Sequence, residues 1–456
     1  MTAIARIAEF TVKSSLADCP GEALARVRRA ALDSLGVMLA GATEPAARAV
    51  RELARTEAGA PLCTVAGTAL RTSPTWAALA NGTAGHAHDF DDTSFALMGH
   101  PSVPLLAALL AAAEAEMLDG AAVTLAYVVG FEVGATIGMA VNPEHYQRGW
   151  HATATVGTLG ATAAVARLLG LDVTQTRHAL GVAVSLASGV KANFGTMTKP
   201  YHAGQTAWNA ITAARLAREG FTASERALDG EQGYLSAFGG GTVDRLHRAI
   251  DRLGHDWHLV QRGIAVKPYP SCAQTHAAVE SVLELRSRHR LAARDVAEVE
   301  VAVHPLTTGV LLYSAPTSAL ERKFSLQFCC AAALIEGRLD LTSFADEAST
   351  ASEIGELMAR VKVVVAPELG DDIERRGWSR VRIRLSDGRV LEAPLRGAAG
   401  HPDRPLSDAE LTAKFLGCAA PVIGRGEAEA VARQIARLED IPDIRTLMAR
   451  MTTNQA

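Results

Sequence analysis

The sequence predicts a mainly α fold in which a smaller α+β domain is inserted late in a large all-helical one. Three observations carry this. Apolar residues recur at three- and four-residue spacing almost unbroken from residue 4 to about 254. Period-two alternation first appears beyond Lys267, and helical spacing resumes after His401-Pro402. The helical domain is assigned to residues 1–266 and 401–456, and a lid domain to 267–400. A chain of 456 residues is too long for one small core and suits two or three domains.

Taken in order, residues 25–39 read as a helix announced by Pro20-Gly21. Residues 103–113 and 121–141 are nearly wholly apolar; two adjacent helices buried in a large core are expected here, rather than a membrane span. Residues 151–169, 175–188, 204–218 and 243–253 continue the helical pattern, and Gly239-Gly240-Gly241 reads as a plain loop. In the lid, residues 296–304 (VAEVEVAVH), 361–365 and 380–385 (RVRIRL) alternate as half-buried strands do. Ser386-Asp387-Gly388-Arg389 turns the last of these into 390–393. Helices are expected at 275–288, 325–336 and 349–360. Ser407 and Glu410 form a capping box that opens the final helices, which are expected to pack back on the first domain.

Composition narrows the function classes. Apolar residues make up 48 %, charged residues 21 % and aromatic residues 5 %, a globular and helix-prone mix. Net charge is -4, from 45 basic against 49 acidic residues, with no basic run, so nucleic acid is not an expected partner. Residues 1–10 lack the basic and apolar regions of a secretory signal. The six cysteines are scattered without a CxxC, which argues against a disulfide framework or a structural zinc site. A cytoplasmic setting with no membrane partner is the expectation.

Four polar segments could carry chemistry. The densest is NGTAGHAHDFDDT at 81–93 with GHPS at 99–102, where three carboxylates in four residues stand among histidines. They cannot all be buried ionised without partners. A loop capping the next helix explains them; HxH followed by Asp also leaves a metal reading open. The second, 145–151, sets Tyr146 and His151 around Arg148, either as proton donors and acceptors beside an anion or as an amphipathic turn. The third, 191–202, brings Lys199 and His202 to a helix start, an anion cradle or an ordinary boundary. The fourth, 267–276, contains Lys267, Ser271, Cys272 and His276, and a cysteine nucleophile there would need a histidine against Cys272. No dinucleotide fingerprint or phosphate loop is present in the sequence. Lysines near helix entries suit a small polycarboxylate, and His with Tyr suits proton transfer at the carbon beside a carboxylate.

The ordered segments NGTAGHAHDFDDT, WHATATVG, MTKPYHAGQTA, KPYPSCAQTH and KFSLQF resemble signatures of the MmgE/PrpD family, from about residue 5 to 450. That family includes 2-methylcitrate dehydratase, cis-aconitate decarboxylase and iminodisuccinate epimerase. The resemblance implies a helical domain with an α+β lid, a homodimer and a site between the domains; the chemistry is expected to need neither cofactor nor metal. It implies Asp89, Thr93, His100, His151 and Lys199 in the pocket, with Lys267 and Cys272 on the lid side; Ser271 beside them is taken as a further substrate-binding candidate. The decarboxylase branch has a histidine at position 272 and a tyrosine at 328, where this chain has Cys272 and Phe328. EHYQRGWH and NFGTMTKP look most like the epimerase branch, in which the residue matching Tyr146 is a candidate acid or base.

The expected reaction is α-proton removal from a di- or tricarboxylate by His151 or a Tyr146 phenolate, with Lys199 and Lys267 holding the carboxylates. An epimerase would return the proton from the other face. A hydro-lyase would instead expel hydroxide with His100 as acid. A non-catalytic anion-binding homologue and a metal hydrolase built on the HxHD segment are the readings from other classes.

Overall fold

The amphipathic spacing of the N-terminal half closes into stacked helices, in the computed structural model, which describes residues 1–57, 59–345, 351–370, 372 and 375–453. The helices are α1 (Ala3–Lys13), α2 (Gly21–Gly41), α3 (Pro45–Thr56), α4 (Pro74–His86), α5 (Ser102–Glu116), α6 (Gly120–Val141), α7 (Glu144–Gln147), α8 (Thr155–Leu168), α9 (Val173–Leu186) and α10 (Thr198–Arg218). A two-stranded ribbon, β1 (Cys63–Thr64) with β2 (Arg71–Thr72), precedes α4. Helix α6 has a mean hydropathy of 1.5 over its most apolar stretch, and 89 % of that stretch is buried within the protein. Its glycines explain how it packs: a Cβ on Gly130 would stand 2.8 Å from the Gly160 carbonyl on α8, so the two backbones meet directly.

Three short helices, α11 (Tyr234–Phe238), α12 (Val243–Ile250) and α13 (His258–Gln261), lead to the lid. There α14 (His276–His289), α15 (Ala319–Arg322), α16 (Leu326–Glu336) and α17 (Ala351–Met358) accompany a four-stranded sheet. The strands β3 (Val296–Val303), β4 (Val361–Val365), β5 (Ser379–Leu385) and β6 (Val390–Arg396) lie in the order β4-β3-β5-β6. The β3–β4 pair is parallel and the other two pairs are antiparallel. Alternation in β5 buries Val381, Ile383 and Leu385, which share a core with Val299 and Val301 and with α14 and α16. The helix expected at 349–360 begins in residues 349–350, which lie outside the described residues.

After the lid, α18 (Asp408–Ile423), α19 (Arg425–Ile435) and α20 (Arg445–Met448) rejoin the helical body. Phe415, Val431 and Met448 share one apolar core with Val27, Leu35 and Leu106. The Ser407–Glu410 capping box forms as expected. Lys414 on α18 pairs with the buried Asp33 of α2 and donates to the Phe90 carbonyl at 2.7 Å, so the returning helix holds the loop after α4 from beneath.

Candidate active site

The site begins with a close helix crossing. A Cβ on Gly82 of α4 would lie 2.7 Å from Gly204 Cα of α10, and one on Gly204 would lie 2.3 Å from the Leu79 carbonyl. With no side chains between them, the end of α4 meets the start of α10, and His86 Nε2 comes 2.7 Å from Lys199 Nζ. Beyond His86 the chain bends through Asp89, whose φ is 51°, a left-handed conformation that Asp tolerates better than most residues. Thr93 and Ala265 then exchange backbone hydrogen bonds of 2.9 and 2.7 Å, bringing the segment with Lys267 alongside this loop. His100 is fixed through its backbone N–H, which donates to Thr153 Oγ1 at 2.9 Å.

The three carboxylates divide the work. Asp89 stands between both lysines: Lys199 Nζ is 3.1 Å and Lys267 Nζ 2.6 Å from its Oδ1. Burial opposes its ionisation, yet the two ammonium groups prevail and hold its pKa below the usual carboxylate range. Asp91 accepts from His86 Nδ1 at 2.8 Å, and burial is again outweighed, here by His100 and His86. Asp92 faces Ser102, whose N–H and hydroxyl both donate to it at the start of α5. Burial and neighbouring Asp33 raise Asp92 well above the usual range, so it is a neutral acid locked into the fold.

These groups border a cavity of about 110 Å³ between the helical body and the lid, lined among others by Asp89, Thr93, His100, Tyr146, His151 and Lys199. Lys267, Cys272 and His276 close it from the lid side. His151 Nδ1 is 3.0 Å from His202 Nδ1, and its ring stands edge-on to Phe194. Among the described residues, neither His151 Nε2 nor the Tyr146 hydroxyl has a hydrogen-bond partner. Burial and the nearby Lys199 keep the His151 ring well below its ordinary pKa, so it is a neutral base. Burial pushes the Tyr146 phenol up, so this side chain is a proton donor, not the phenolate base considered from the sequence. Lys191 Nζ stands 4.0 Å from the centroid of the Tyr146 ring.

Several expectations need correction. Ser271 does not line the cavity; it is fully buried behind the wall, with Oγ 2.8 Å from Thr275 Oγ1. Phe328 is not in the cavity either: it packs on Phe344 in the lid core, whereas Phe324 reaches the wall. Cys272 is in the wall, but burial pushes its thiol up to about 11, so it is not poised as a nucleophile. His100 is held below the ordinary imidazole value by burial, so it rests neutral and does not start as the cationic acid assigned to it. His88 turns away to the Ala40 carbonyl at 3.2 Å. The structure adds Arg376, which lines the cavity and stacks over Phe95 at 4.5 Å. Its sequence context, Arg-Arg-Gly-Trp, gave no signal of a site.

His86, Asp89, Asp91 and His100 are close enough to suggest a metal cluster, with one ligand atom of each within 4.8 Å of the others. Two of the candidate donor atoms are already engaged by ammonium groups, Lys199 Nζ on His86 Nε2 and Lys267 Nζ on Asp89 Oδ1, whereas Asp89 Oδ2 and His100 Nδ1 have no hydrogen-bond partner among the described residues. A divalent ion would displace two ammonium groups and leave them buried without a counter-ion, so the donor set does not fit one.

Fold and site together define a two-domain protein with a cavity lined by lysines, histidines and Tyr146 where the lid meets the helical body. Residues 5–246 match the MmgE/PrpD N-terminal domain and residues 269–440 the MmgE/PrpD C-terminal domain. The chain belongs to the MmgE/PrpD family. It is 30 % identical to cis-aconitate decarboxylase of Homo sapiens over 432 residues, 92 % of this chain and 89 % of that protein. It is 25 % identical to cis-aconitate decarboxylase of Aspergillus terreus over 453 residues, 94 % and 92 % of the two chains. It is also 26 % identical to 2-methylcitrate dehydratase of Cupriavidus necator over 356 residues, 73 % and 72 %.

Proposed function

We propose that this protein removes and returns the proton beside a carboxylate of a small di- or tricarboxylate, as an epimerase of the iminodisuccinate type, without a cofactor. The observation that carries this reading is a pair of complementary proton carriers in one cavity. His151 rests as a neutral base and Tyr146 as a protonated acid, each without a hydrogen-bond partner for its reactive atom among the described residues. Lys199 and Lys267 supply the positive charge a carboxylate needs. As the α-proton moves to His151, negative charge grows on the substrate carboxylate, and the attraction to both ammonium groups strengthens toward the transition state. Tyr146 then delivers its proton to the opposite face, giving the inverted centre, and the two side chains exchange protons with water before the next turnover.

A second reading, a hydro-lyase of the 2-methylcitrate dehydratase type, is supported by the 26 % identity to 2-methylcitrate dehydratase of Cupriavidus necator. The first step is the same; hydroxide then leaves with the Tyr146 proton. Identity to the cis-aconitate decarboxylases supports decarboxylation as a third reading; against it stands Cys272 in the wall, where the decarboxylase branch has histidine.

Incubation of candidate polycarboxylates in D₂O, followed by NMR, separates the readings. Deuterium at the α-carbon with inversion supports the epimerase, and water loss with an alkene product supports the lyase. The absence of exchange and of turnover across a panel of di- and tricarboxylates would reject both.

A further inference from the structure

Lys199 is held from behind. Its ammonium donates to His86 Nε2 at 2.7 Å and to Asp89 Oδ1 at 3.1 Å, while the rings of Phe194 and Phe324 flank it, each with its centroid 5.4 Å away. His86 accepts that bond only if Nε2 has no proton. The other ring nitrogen answers the question: Nδ1 lies 2.8 and 2.9 Å from the two oxygens of Asp91. An ionised carboxylate has no proton to give, so Nδ1 must be the donor and Nε2 the acceptor.

We infer that His86 and Asp91 are positioning residues: Asp91 fixes the tautomer of His86, and His86 orients the Lys199 ammonium so that its third N–H is left for the substrate carboxylate. All three side chains are buried, so water cannot readily replace any of them. The chain reaches across the α4–α10 crossing, so His86 and Asp91 hold Lys199 from the helical body while Phe324 touches it from the lid. The inference rests on the proposed proton-transfer reading for its consequence in catalysis, but not for its geometry.

Two measurements test it. In ¹⁵N NMR of histidine-labelled protein, with the His86 signals assigned by their loss in His86→Gln, the ring should show the Nδ1–H tautomer. An Nε2–H tautomer overturns the inference even if no substrate is ever found, whereas failure of exchange with every polycarboxylate bears on the proposed function alone. In kinetics, His86→Leu removes the acceptor and should lower kcat by about 10- to 100-fold, the scale for groups that orient an active side chain. Its basic limb of kcat against pH should move to lower pH, because Lys199 then holds its proton less tightly among Asp89, Asp91, Lys267 and the neutral His151. His86→Gln keeps an acceptor oxygen and should restore most of both. A His86→Leu protein with an unmoved pH profile, or a Gln variant no better than Leu, would overturn the inference.

Discussion

Lys267 meets Asp89 twice, with Nζ 2.6 Å from the carboxylate and 2.7 Å from the carbonyl oxygen of the same residue. The contact joins the first residue of the lid to the loop that ends α4. Because Lys199 shares the same carboxylate oxygen, one buried anion organises both cations. Asp89→Asn should therefore destabilise the fold by about 3–5 kcal/mol, the scale for breaking a buried pair. Chemical denaturation measures this; a loss under 1 kcal/mol would mean that the lysines find other partners.

His151→Ala and Lys199→Ala should each slow turnover by on the order of 10²-fold or more, the usual scale for a positioned base and for electrostatic stabilisation. Single-turnover rates with an exchanging substrate are the measurement. Near-normal rates in both would place the chemistry elsewhere.

Tyr146→Phe separates the two proton transfers. His151 remains, so α-hydrogen exchange in D₂O should persist at a reduced rate while inversion is lost. Inversion that keeps pace with exchange in this variant would exclude Tyr146 as the second acid.

Stability should fall as pH drops below about 6.5. Burial holds His86, His145 and His202 at about 4 and His276 at about 3, and it also lowers His100 and His151. In the unfolded chain these rings titrate near 6.5, so below that pH the unfolded state binds more protons than the fold. The stabilisation is complete above the unfolded value and is lost toward the folded ones. Glu132, raised to about 7 by burial, works the other way together with Asp33 and Asp92, but the histidines outnumber them. Thermal melts from pH 8 to 5 at constant ionic strength should show a falling Tm; a flat or rising trend contradicts the buried neutral rings.

Gly204→Ala should cost about 1–3 kcal/mol by overpacking the α4–α10 crossing. It should also lower activity more than stability alone explains, because it pushes Lys199 away from His86. Activity per folded molecule, read beside a melt, checks this.

The alternation of RVRIRL, the continuous apolar run of α6 and the Ser407–Glu410 box each specify local structure, because periodicity and capping depend on residues close in sequence. The segments that build the site were legible for the same reason: polar, histidine-rich stretches between apolar helices must have partners. Which partners was not legible. His86 and Lys199 are 113 positions apart, and they meet at 2.7 Å because α4 and α10 cross closely at Gly82 and Gly204.

By itself the sequence determined the helical body, the late α+β insertion and the stretches that hold the chemistry. The tertiary structure decided the state of each group. It left Asp89 and Asp91 charged, Asp92 neutral, His151 a base and Tyr146 an acid, and it removed Ser271 and Phe328 from the wall. The physical reason is that protonation in a buried site follows burial and the nearest charges. Those neighbours arrive from distant parts of the chain, and no local pattern encodes them.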